Sequence, residues 1–153
     1  MLSTLHTNDA PSTISRLLNM GVEPFLVAAS TNVIMAQRLA RRVCQSCKEP
    51  VPVPPQALVN IGFSPEEAAS ITPVKGKGCM TCSDTGYKGR IALYEVMLVK
   101  ENIKEAILQG ASVIELRELA RKNGMRTLRE AGLQKIREGM TSLEEIMRVT
   151  TGN

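Results

Sequence analysis

Four cysteines carry the clearest chemistry in this chain. They stand as two Cys-x-x-Cys pairs, Cys44/Cys47 and Cys79/Cys82, separated by residues 48–78. A two-residue spacer lets one tight turn aim both sulfurs at a single point. Two such turns brought together offer four thiolates at the corners of a tetrahedron, the geometry zinc takes in structural sites. With sulfur at every corner, no position is left for a bound water, so the metal these residues imply is structural and not catalytic. Gly78 before the second pair and Gly86 after it supply the backbone freedom such a turn needs. Three other uses of cysteine fit less well. A thioredoxin-like redox centre needs one pair in a βαβ setting, disulfides suit an oxidising compartment, and iron–sulfur spacings usually crowd three of four cysteines together.

The one histidine, His6, is a second candidate. It lies in Ser3-Thr4-Leu5-His6-Thr7-Asn8-Asp9-Ala10, read here as the junction of a strand and a helix. Strand ends that precede helix starts are where α/β proteins place ligand chemistry, because free backbone N–H groups point outward there. An imidazole at that place can donate to a phosphate oxygen. It can equally serve as a loop hydrogen-bonder beside capping residues, and residue type alone favours that plainer role.

The elements that must position these residues follow from the pattern. Met1–Leu5 reads as the last residues of a β-strand. Asn8 or Asp9 caps a helix with Pro11 in its first turn, Ile14, Leu17 and Leu18 on its apolar stripe and Gly21 at its end. A second helix is expected from Glu23-Pro24 to about Ala36, and a strand over Gln37–Val43. Pro50, Pro52, Pro54 and Pro55 interrupt any regular element. Two short helices follow, the second with a capping box at Ser64-Pro65-Glu66-Glu67. The polar, Pro-rich linker between the cysteine pairs is expected to depend on metal for part of its folding energy. A strand at Ile91–Val99 leads into four helices, whose starts are marked by Lys100, Ser112/Glu115, Leu128 and Ser142/Glu145, with Gly110, Gly124 and Gly139 ending the first three.

Composition narrows the function classes. The 153 residues are 43% hydrophobic and 22% charged, which suits one ordinary domain or two small ones. Aromatics make up 3%, so the core must be aliphatic and there is little material for stacking on bases. A net charge of +4 is small for a nucleic-acid binder, and Arg38, Arg41, Arg42 and the arginines of 117–129 are interleaved with apolar residues. They read as solvated faces, and no nucleic-acid partner is expected. No apolar run approaches the ~18 residues of a membrane span. Met1–His6 carries no Lys or Arg, so no secretory signal is read. A cytoplasmic protein is expected, where thiols stay reduced.

Several ordered stretches resemble one family. Ser3-Thr4-Leu5-His6-Thr7-Asn8 is similar to the histidine box of the secretion ATPase superfamily. Asn19 to Leu26, Ala36-Gln37-Arg38-Leu39, both cysteine pairs, Gly86-Tyr87-Lys88-Gly89-Arg90, Gly124 to Arg129 and Thr141 to Ile146 resemble its branch that assembles type IV pili or powers type II secretion. The retraction motors of the superfamily lack the cysteine module. Asn32 and Asn19-Met20-Gly21 incline the resemblance toward the pilus-extension motors, with type II secretion as the alternative. The resemblance implies an α/β fold: the C-terminal part of a RecA-like P-loop ATPase core (1–43), an inserted four-cysteine zinc-binding module (44–90), and a strand plus C-terminal helical bundle (91–153). It further implies a homohexamer, ATP and Mg²⁺ in the parent, and an inner-membrane platform protein as partner, which would hold the motor at the inner membrane. His6 and Thr7 would face the γ-phosphate side of the nucleotide. The P-loop Gly-x-x-x-x-Gly-Lys-Ser/Thr is absent, since Lys75-Gly76-Lys77-Gly78 has neither its spacing nor its hydroxyl. A fragment without it is expected to be inactive alone. A reading of a different class is a free-standing zinc-ribbon module for protein or nucleic acid, in which His6 has no special role.

Overall fold

The computed structural model describes residues 1–150. It is mixed α/β: α1 (Ala10–Asn19), α2 (Pro24–Ser30), β1 (Val33–Val43), β2 (Lys48–Pro50), α3 (Pro55–Ile61), α4 (Pro65–Ser70), β3 (Val74–Gly76), β4 (Tyr87–Leu98), α5 (Glu101–Leu108), α6 (Val113–Lys122), α7 (Leu128–Arg137) and α8 (Leu143–Val149). The long strands β1 and β4 pair with each other, and β2 pairs with β3. The chain divides into two compact units, Met1–Gln37 with Tyr94–Leu128, and Arg38–Leu93 with Arg129–Asn153.

In the first unit, α1 packs on α2 and α6, while α5 packs on α2 and α6. The apolar side of these helices buries Ile14, Val27, Ile103, Ile107 and Leu116. Asp9 is the N-cap of α1, its carboxylate accepting from the Ser12 N–H at 2.8 Å. Two expectations fail here. Residues 1–7 form no strand, because no neighbouring strand among the described residues supplies a ladder for them. The second helix ends at Ser30, not near Ala36, and the chain is extended from Val33. The reason lies in Val33-Ile34-Met35-Ala36, where Ile34 and Ala36 are buried and Val33 and Met35 exposed. That period of two belongs to a strand, and β-branched Val33 and Ile34 favour it.

In the second unit the linker between the cysteine pairs has a core of its own. Leu58, Ile61, Phe63 and Ala68 are buried, and the α3–α4 hairpin they join is tied to α7. Arg129 donates to the Ile61 carbonyl at 3.2 Å, and the Arg137 guanidinium lies 5.2 Å from the Phe63 ring centre while pairing with Glu67 at 2.9 Å. Burial of four apolar side chains therefore gives residues 55–70 a stabilising core of their own, beside the part of the linker's folding energy expected from a metal.

A buried carboxylate joins α8 to the end of β1. Ser142 caps α8 by accepting from the Glu145 N–H, as the capping box predicts. The Glu145 side chain, however, does not return to the cap. It accepts from the Arg41 N–H and takes the Arg41 guanidinium at 3.0 and 3.1 Å and the Arg148 guanidinium at 2.7 and 3.0 Å. Arg41 also lies 4.2 Å from the Tyr87 ring centre, and the Tyr87 hydroxyl meets Ser142 Oγ. Arg41 and Arg129 are thus bound in specific contacts, where a solvated face was expected.

Burial works against charge on Glu145, but the hydrogen bonds from Arg148 and Arg41 outweigh it and hold the carboxyl down at about 2. A depressed carboxylate stabilises the fold above its ordinary value, and that contribution fades as pH falls toward the folded value. Glu145→Gln should cost about 1–3 kcal/mol at pH 7, because two half-exposed guanidinium groups lose the charge they share. The gap from wild type should shrink as pH drops from about 4.5 toward about 2. Urea denaturation of both proteins across that range checks this, and an unchanging gap would contradict it.

Candidate metal centre

The four cysteines meet. Their sulfurs all lie within 4.8 Å of one another, with Cys44 and Cys82 buried and Cys47 and Cys79 half-buried. Three separations are 3.7 Å (Cys44–Cys79), 3.8 Å (Cys47–Cys82) and 3.7 Å (Cys79–Cys82). A disulfide needs sulfurs about 2.05 Å apart. Four sulfurs each about 2.3 Å from a central zinc stand about 3.8 Å from one another, the edge of the tetrahedron. The observed edges fit zinc and exclude bonded pairs.

Local sequence explains how the turns converge. β2 begins at once after Cys47 and pairs antiparallel with β3, Lys48 opposite Gly76 and Pro50 opposite Val74. The Lys77 N–H then donates to the Cys47 carbonyl at 3.1 Å, so the ladder carries the first turn up to the second. The Cys44 N–H donates to the Gly86 carbonyl at 2.9 Å, which closes the other side. Gly76 and Gly86 pass with backbones touching: a Cβ on Gly76 would stand 2.1 Å from the Gly86 oxygen. Only glycine permits that approach.

Backbone amides face the sulfurs. Gly78 N–H donates to Cys47 Sγ, and both Cys79 and Gly86 N–H groups donate to Cys82 Sγ, each at 3.3 Å. Burial pushes both of these thiols up, but on Cys82 the two amides outweigh it and bring the thiol down to about 6. Burial prevails on Cys47, aided by the neighbouring thiols, and raises it to about 12. The amide hydrogen bonds thus favour the thiolate at Cys82, while burial disfavours it at Cys47. A zinc ion binding here would displace thiol protons, so its affinity would fall as pH falls.

His6 and Thr7 belong to the first unit and are not among the clustered ligands. His6 is exposed, in a segment without regular structure that leads into α1. Thr7 Oγ1 meets Thr13 Oγ1 at 2.8 Å, which ties this lead-in to the first turns of the helix. One residue in the neighbourhood was missed at the sequence level: Glu95, buried on β4, accepts from the Ala10 N–H. The signal was present, since Leu93, Glu95 and Met97 share the inward face of an alternating strand.

The description of the family model that matches residues 1–148 is type II/IV secretion system protein. The chain belongs to this family. Among its relatives, the type IV pilus assembly ATPase PilB of Myxococcus xanthus is 53% identical over 148 residues, covering 96% of this chain and 26% of that protein. The type IV pilus assembly ATPase PilB of Thermus thermophilus is 47% identical over 150 residues, 98% of this chain and 17% of its own length. The type II secretion system protein HxcR of Pseudomonas aeruginosa is 43% identical over 150 residues, 98% of this chain and 28% of its own. The chain thus spans about a quarter of these family members, or less. Among the described residues, no helix is long and apolar enough to cross a membrane.

Purified chain should carry one zinc per molecule, and Cys79→Ser less than half that amount. Hydrogen exchange should then show the amides of Lys77, Asp84 and Gly86 losing most protection, while those of Gly62 and Ala68 keep more of it, because Leu58, Ile61 and Phe63 are buried against one another and away from the sulfurs. Full zinc in the variant would count against this site, and equal loss of protection throughout 44–90 would count against a separate core in the α3–α4 hairpin.

Proposed function

We propose that this chain is part of a motor ATPase that powers type IV pilus assembly, the part that contributes a structural zinc module and a histidine facing the nucleotide. The observation that carries this reading is 53% identity across 96% of the chain to a type IV pilus assembly ATPase, together with four cysteines in a zinc geometry. A second reading, type II secretion, is favoured by the 43% identity to HxcR. It stands second because the identities to the pilus assembly proteins are higher.

In this reading the parent polypeptide has a RecA-like core and works in the cytoplasm as a homohexamer, against an inner-membrane platform protein. ATP and Mg²⁺ supply the phosphoryl-transfer chemistry, held by a phosphate loop that residues 1–153 do not contain. His6 and Thr7 are this chain's contribution to that site. An exposed imidazole at the lead-in to α1 can donate to a γ-phosphate oxygen and stabilise the charge that develops there. Zinc, with four sulfur ligands, takes no part in hydrolysis. Its role is to hold the two turns of 44–50 and 74–86 against each other.

His6→Ala in the ATPase that carries this segment should lower kcat by about 100-fold, the scale on which loss of one charge-stabilising donor acts. Its effect on stability should stay within about 0.5 kcal/mol, as befits an exposed side chain. An unchanged turnover number would refute the γ-phosphate role.

A further inference from the structure

The first turn of α1 is held by more than its own cap. Asp9 is only 3% exposed; one carboxylate oxygen accepts from the Ser12 N–H and the other takes Arg117 Nη2 at 3.2 Å. Glu95, 1% exposed, arrives from β4, and its Oε2 accepts from the Ala10 N–H at 3.1 Å. A local Asp is enough to start a helix. Burying a second carboxylate beside it costs desolvation, and helix formation does not require it. What the long-range contacts add is position: they fix where α1 begins against β4 and α6. The residues just upstream inherit that position, because Thr7 is joined to Thr13 within the helix.

We propose that Glu95 and Arg117 are positioning residues that hold the first turn of α1, and through it the His6–Thr7 segment, in place for the nucleotide's phosphates. The proposal rests on the γ-phosphate reading of His6 given above. Both residues contact the helix start itself, Glu95 at Ala10 and Arg117 at Asp9. Each acts through the helix start, so its loss should change turnover more than ATP affinity. The requirement at Glu95 is an acceptor oxygen at Ala10, which glutamine can also offer.

The test is a set of variants in the ATPase that carries this segment, with zinc content and melting temperature confirming that each is folded. Glu95→Leu removes the acceptor and should lower kcat about tenfold or more, with KM for ATP within about twofold of wild type. Glu95→Gln should restore at least about half of kcat. The double variant His6→Ala/Glu95→Leu should be no slower than His6→Ala alone, because two changes acting through one group do not add. If Glu95→Leu does not fold, Arg117→Met replaces it in both comparisons, with an expected loss of about threefold. If His6→Ala is slow but Glu95→Leu or its substitute is not, or if the losses multiply in the double variant, positioning through His6 is wrong while the γ-phosphate reading stands. If His6→Ala turns over normally, both fall.

Discussion

Four sulfurs within 4.8 Å of one another, two of them buried, are a poor arrangement for anions, which repel. A divalent cation at their centre would turn that repulsion into attraction, and much of the second unit is built to bring the four together. The β2–β3 ladder carries Cys47 to the second turn, the Cys44–Gly86 hydrogen bond closes the opposite side, and two glycines meet where no side chain fits. Amide groups then point at Cys47 and Cys82, offsetting part of the charge that coordination demands. A zinc ion would supply the attraction between sulfurs that the backbone cannot.

The remainder of that unit is tied to the metal turns through β1. Arg41 lies three residues before Cys44, and its backbone and guanidinium both end on Glu145 of α8. The Val43 N–H donates to the Met140 carbonyl, and Thr141 Oγ1 donates to the Arg41 carbonyl. The strand that delivers the first cysteine is therefore gripped by the α7–α8 turn on one side and by the zinc turns on the other. The α3–α4 hairpin stands apart from this, held on α7 by its own apolar side chains and by Arg129 and Arg137. The metal-binding geometry and the hydrophobic core thus occupy different stretches of the same linker.

How much of this was legible in the sequence depended on how local the cause was. Asp9, Ser64, Ser112 and Ser142 cap helices where the spacing said they would, because a cap and its amide are three residues apart. The cysteine cluster was legible because metal geometry constrains ligand spacing so tightly. The α2–β1 boundary was misjudged, since Ser30-Thr31-Asn32 parts two apolar stretches that were read as one helix, and tertiary burial of Ile34 and Ala36 makes the second of them a strand. Glu145 was read as a capping residue from its position, yet its carboxylate answers to Arg41, 104 residues away. Glu95 was passed over for the same reason: its partner, Ala10, is 85 residues distant. Long-range polar contacts leave no periodic mark.

Membership in the type II/IV secretion family gives the zinc module a setting, and the physical account of the module stands on the sulfurs themselves. Their coordination can be read directly. X-ray absorption at the zinc edge of the purified chain should give a single shell of four sulfurs at about 2.3 Å. A shell containing nitrogen or oxygen, or sulfur–sulfur distances near 2.05 Å in place of a metal, would contradict the account.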